Sequence, residues 1–183
     1  MTSSTTWQLL PKVLEAEDVR AELLRFTVEH NPKMSAEEFL DGLGLRMEAA
    51  VGRALGTKLG VRSFTEERVV FEYPPVVTVL ALMGGMAAEG VRITSVAPTV
   101  EGDALEVSGV VPSSIYHYEG TLSVDLASVD GHVEARAQVV FPGQLCAFGA
   151  GRRLIRRVVR TVAVAGDRLR TCESVRRHLA TTL

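Results

Sequence analysis

From Val76 to Ala88 the chain runs thirteen residues without an ionisable side chain, and only Thr78, Gly84 and Gly85 interrupt the apolar sequence. A helix that is apolar all round has to be buried on every side. It is also too short to leave water by crossing a bilayer, which takes about 20 residues. The rest of the chain must therefore build layers around it. Pro74-Pro75 comes immediately before, and Pro75 suits the first turn of a helix, where a missing N–H costs nothing. Gly84-Gly85 lowers helix propensity by roughly 1 kcal/mol per glycine relative to alanine, so a close backbone approach or a bend is expected there.

Around this stretch the hydrophobic period is two. Val69, Phe71 and Tyr73 alternate with Arg68, Val70 and Glu72, which predicts a half-buried strand. Four more strands are expected after the helix, over 91–100, 105–111, 115–126 and 133–141. Glu101-Gly102-Asp103 punctuates the first pair. Asp130-Gly131 punctuates the last, as a short hairpin turn between alternating runs. Leu122, Val124 and Leu126 share one side of their strand, with Thr121, Ser123 and Asp125 on the other. Such strands suit an antiparallel sheet that is covered on one side and wet on the other.

Helices flank the sheet. Val13, Leu14, Ala21, Leu24 and Val28 predict an amphipathic helix over 13–29, ended by His30-Asn31-Pro32 because the residue before proline avoids the helical region. Ser35 and Glu38 form a capping box at the start of a second helix over 36–55. Near the C-terminus a helix is expected from Arg152, with Leu154, Ile155, Val158, Val159 and Val162 on one face and Gly166 interrupting it before a stretch over 167–178. The fold class expected is α+β: two N-terminal helices, an antiparallel sheet of about five strands around a buried apolar helix, and a long basic C-terminal helix. The 183 residues make one domain, divided into a helical part (1–60), the sheet with its buried helix (61–142) and the basic tail (143–183).

The formal net charge of −2 conceals a division along the chain. Residues 143–183 carry nine arginines against Asp167 and Glu173, and everything before them carries a net excess of acid. Five arginines (Arg152, Arg153, Arg156, Arg157 and Arg160) fall within nine residues, behind Gly149 and Gly151. Nucleic acid is not an expected partner, because the chain as a whole is not basic and its strands lack an aromatic stacking platform. Two cysteines, Cys146 and Cys172, are too few for a disulfide framework, and no Cys/His spacing suits a metal, so neither metal nor cofactor is expected. With no leader-like N-terminus and no membrane-length apolar run, the expected location is the cytoplasm.

The order of strand, apolar helix and four antiparallel strands over 66–142 resembles the hotdog fold. The segments "VEGDALEVSGVV" (100–111) and "DGHVEARAQVVF" (130–141) are similar to that fold's turn-and-strand and closing hairpin. The resemblance implies acyl thioesters as ligands, thioesterase or dehydratase activity, and a dimer. A START-like helix-grip and a BPI-like lipid-binding module fit the same pattern of elements. Hotdog enzymes place an acid or a histidine in or beside the central helix. Here the helix has none, and Glu89 stands only at its end.

The leading expectation is therefore non-catalytic binding of an apolar acyl- or lipid-like molecule with an anionic head. Val79, Met83, Met86, Tyr116 and Tyr118 would line the apolar space. Gly149 and Gly151 would offer backbone N–H groups beside the five arginines to the head. A rival reading is an acyl-thioester hydrolase or dehydratase with His117 or Glu89 as its base. A third is a scaffold or assembly subunit that docks its arginine helix onto an acidic surface of another copy or of another protein.

Overall fold

Alternation of period two builds a five-stranded antiparallel sheet, and the apolar helix lies against its dry side. The protein is seen in a computed structural model that describes residues 10–35, 39, 62–99, 104–114, 119–130, 132–142 and 149–182. In chain order the elements are α1 (Leu10–Leu14), α2 (Glu17–His30), β1 (Arg62–Phe71), α3 (Pro75–Ala88), β2 (Arg92–Pro98), β3 (Ala104–Val111), β4 (Gly120–Val129), β5 (His132–Pro142), α4 (Ala150–Leu169) and α5 (Glu173–Thr182). The strand order is β1-β5-β4-β3-β2, so a meander runs from β2 to β5 and its last strand pairs with β1. The α+β class and the basic C-terminal helix are as expected.

A hairpin joins β4 to β5 where the sequence predicts one, with Val129 paired to His132 and Asp130 at φ 45°, a left-handed value that suits a tight hairpin turn. Burial alternates strictly along β3 and through most of β4 and β5. One face of the sheet therefore carries Val107, Val124, Leu126, Ala135 and Val139 into the core.

Helix α3 is buried from Val76 to Ala88. The sheet covers one side of it, while α2 and α4 cover the others. Gly84 and Gly85 make those helix contacts possible. A Cβ on Gly84 would lie 3.1 Å from Leu23 of α2, and one on Gly85 would lie 3.0 Å from Val162 and 3.4 Å from the Val158 carbonyl of α4. Close approach on two sides is thus the compensation for two poor helix formers. The buried Thr78 hydroxyl donates to the Tyr73 and Pro74 carbonyls (3.1 and 3.2 Å) and leaves no unpaired polar atom in the helix. Gly90, at φ 79°, ends the helix, and Val91 N–H donates back to the Met86 carbonyl at 2.8 Å in the Schellman pattern.

Several boundaries differ from expectation. The helix expected over 13–29 is two helices, broken at Glu15-Ala16. Gly166 does not interrupt α4, which continues to Leu169; the break falls at 170–172. β1 begins at Arg62 and ends at Phe71, before Tyr73. The strand expected over 115–126 is seen from Gly120 to Val129. The helix expected over 36–55 lies outside the described residues except for Phe39, which is buried.

Candidate functional site

Helix α4 lies on the sheet through Gly151, whose missing side chain lets the helix start approach β1 and β5. A Cβ there would meet Thr65 Oγ1 at 2.8 Å and Val139 Cβ at 3.4 Å. This contact fixes which way the helix faces. Leu154, Ile155, Val158, Val162 and Ala165 turn inward and are buried. Arg152, Arg153, Arg156, Arg157 and Arg160 turn outward and are exposed. The amphipathic pattern of α4 matches this facing.

Carboxylates from two other elements reach this outer face. Arg152 Nε lies 2.9 Å and Arg156 Nε 3.7 Å from Glu67 Oε1 of β1. Arg157 Nε lies 2.8 Å from Glu89 Oε2, at the end of α3. The other Glu89 oxygen accepts a hydrogen bond from Thr161 Oγ1 at 3.0 Å. Glu89, a candidate base by sequence, thus has both oxygens occupied by α4. The three paired arginine side chains remain 57–61% exposed, within reach of a partner.

Glu67 was not among the sequence candidates, although a signal for it exists. It has the same parity as Val69 and Phe71, so the strand pattern puts a charge on the covered side of β1, where it needs a cationic neighbour.

The expected apolar space looks different. Val79, Met83 and Met86 are 0–1% exposed, packed into the core. The gap that remains between α3, α4 and the sheet is a void of about 10 Å³, lined by apolar side chains including Val69, Leu82, Ala135, Ala137, Ile155 and Val159. A void of that size has room for about one water molecule and for no acyl chain. Tyr116, His117 and Tyr118 lie outside the described residues, as does Cys146. A surface depression of about 280 Å³ beside α2 is lined by Glu15, Glu17, Arg20, Ala21 and Leu24 and gathers no set of catalytic groups. Gly149 takes φ 72° at the start of α4 and accepts from Arg153 N–H at 3.0 Å.

Among the described residues no three His, Cys, Asp or Glu side chains are grouped to hold a metal ion, and no helix is long and apolar enough to cross a membrane. No protein-family model, curated protein or solved structure matches the chain.

Proposed function

We propose that this protein is a non-catalytic docking module that binds an acidic protein surface through the arginine face of α4. The observation carrying this reading is the imbalance of charge on that exposed face. Within about two turns, Arg152, Arg156 and Arg157 set three guanidinium groups against the two carboxylates of Glu67 and Glu89. Exposed ion pairs contribute only about 0–1 kcal/mol each, so a partner's carboxylates could replace them at small cost. Arginine suits the task because its planar fork binds carboxylates in bidentate fashion. The face is also held rigidly, since the apolar side of the same helix is fixed against α3 and the sheet.

Fluorescence anisotropy with a labelled oligoglutamate peptide tests this reading. Binding should weaken as salt rises, and an Arg156→Ala/Arg160→Ala variant should lose most of it. An oligoglutamate peptide that does not bind the intact protein at low salt overturns the proposal.

A second reading keeps the acyl or lipid ligand, favoured by the wholly apolar lining of the void beneath α4. An acyl tail would enter only if α4 moved off the sheet, with the arginines then holding its anionic head. Native mass spectrometry of gently purified protein tests it: a bound lipid mass supports this reading, and a clean apo mass counts against it.

A further inference from the structure

We propose that the open face of the sheet is an interface between two copies of this chain, related by a two-fold axis that runs along the strands between β4 and β5. This inference uses the side of the sheet opposite α4 and does not depend on the docking reading. Val69 and Phe71 point toward the helices, so Phe64, Glu66, Arg68 and Val70 of β1 point away from them. Phe64 is 53% and Val70 59% exposed, two of the large apolar side chains most open to water.

The strand register sorts this face into rows. One row reads Arg68, Arg136, Asp125, Glu106 across β1, β5, β4 and β3. Two like-charge pairs therefore sit directly across neighbouring strands, Arg68 opposite Arg136 and Asp125 opposite Glu106. Such pairs destabilise a sheet. Arg136 is partly relieved by Glu66 at 2.8 Å, but Arg68 makes no hydrogen bond or ion pair among the described residues. Burial, and then Glu106, push the Asp125 carboxyl above the usual aspartate range, against the pull of Arg136, which stands directly opposite it on β5.

Rotation about the proposed axis places β1 over β3 of the second copy and β5 over its β4. The row then meets its own reverse. Arg68 faces Glu106 of the other copy, and Arg136 faces Asp125 of the other copy. In the outer rows the same operation brings Phe64 over Val110 and Val70 over Ala104, and in the row between Phe64 and Arg68 it lays Glu66 over Ser108. One symmetry element thus satisfies both charge pairs and both apolar ends, as an isologous interface requires. Four of the five strands overlap in this arrangement, about 4.8 Å apart and about 25 Å long, so each copy presents roughly 480 Å² and the pair buries about 960 Å², the size of a weak, transient dimer.

Sedimentation equilibrium of the full chain from about 1 to 100 µM tests the interface. The wild type should form a dimer. Arg68→Glu and Glu106→Arg should each weaken it at least about tenfold, by setting like charges against each other across the interface. The double variant Arg68→Glu/Glu106→Arg should return to near wild-type affinity, because each copy then carries the swapped pair. Circular dichroism checks that each variant is folded. Should a charge variant not fold, Val70→Asp supplies the same test at the apolar end. A wild type that is monomeric throughout, a dimer indifferent to these changes, or a folded double variant that stays monomeric overturns the proposal.

Discussion

The ring of Tyr73 occupies the place where Gly166 would otherwise carry a side chain. A Cβ on Gly166 would lie 2.9 Å from the Tyr73 Cζ and 3.0 Å from Cε1. The ring cannot easily yield, because its hydroxyl donates to the Ala163 carbonyl (2.9 Å) and to Asp167 Oδ1 (3.0 Å), with the Arg170 guanidinium 4.5 Å from its centre. Tyr73 thereby ties the turn after β1 to the C-terminal half of α4.

Gly166→Ala turns this contact into a test of sign. At an unobstructed helix position the change gains up to about 1 kcal/mol from propensity and reduced unfolded-state entropy. Against the Tyr73 ring it meets an overpacking cost of about 1–3 kcal/mol. The expected net is a destabilisation of about 1 kcal/mol, read as a lower urea midpoint at unchanged slope. A rise in the midpoint would show that the ring moves aside freely.

The same glycine marks where sequence reasoning stops. A lone glycine in a helical pattern reads as a break, and only tertiary contact with Tyr73, 93 positions earlier in the chain, shows why α4 continues. The burial of α3, the alternation of the strands and the Asp130-Gly131 hairpin were legible because each follows from local periodicity or turn chemistry. The filled interior was not. Periodicity marks which side chains turn inward, but it does not report whether they meet, and α2 and α4 fill the space that the sheet leaves around α3. Of the site, the outward set of arginines could be read from helical spacing. Their partners Glu67 and Glu89 come from distant elements, and no spacing rule on α4 points to them.

Leu82 is 2% exposed and borders the small void beneath α4. Leu82→Ala should cost about 2–5 kcal/mol, because the removed atoms leave a cavity that joins space already present. Apolar cavities of that kind stay dry and accept small apolar molecules. Benzene should therefore raise the thermal midpoint of the variant and leave that of the wild type unchanged. Equal shifts in both would place the benzene elsewhere.

Asp18 of α2 caps α5 from outside: its Oδ2 accepts from Ser174 N–H at 2.9 Å. That backbone N–H, followed by the Ser174 hydroxyl, holds the Asp18 carboxyl below the usual aspartate range. A carboxyl that binds its proton less readily folded than unfolded adds stability above its unfolded pKa, and this is lost as pH falls through the folded value. Asp18→Ala should lower stability by about 1 kcal/mol near neutrality, the ordinary cost of losing a helix cap. The gap from wild type should close in acid below the usual aspartate range. Urea titrations at neutral and strongly acid pH check this, and a gap that persists unchanged in acid contradicts the capping role.

Glu89 restrains the arginine face as well as anchoring it. Through its contact with Arg157 it cancels one positive charge that an acidic partner could otherwise use. Glu89→Gln keeps the side chain's size and a hydrogen bond from Thr161 while removing that charge. Because the pair is partly exposed, the stability loss should stay under about 1 kcal/mol. Affinity for an oligoglutamate peptide should rise by up to about fivefold, since 1 kcal/mol at most is released to binding. The gain should be largest at low salt and fade as ionic strength increases. A hydrolase that used Glu89 as its base would instead lose acyl-thioester turnover in this variant, with no change in peptide affinity. Anisotropy titrations at two salt concentrations and an acyl-thioester hydrolysis assay therefore separate a docking face from a catalytic one.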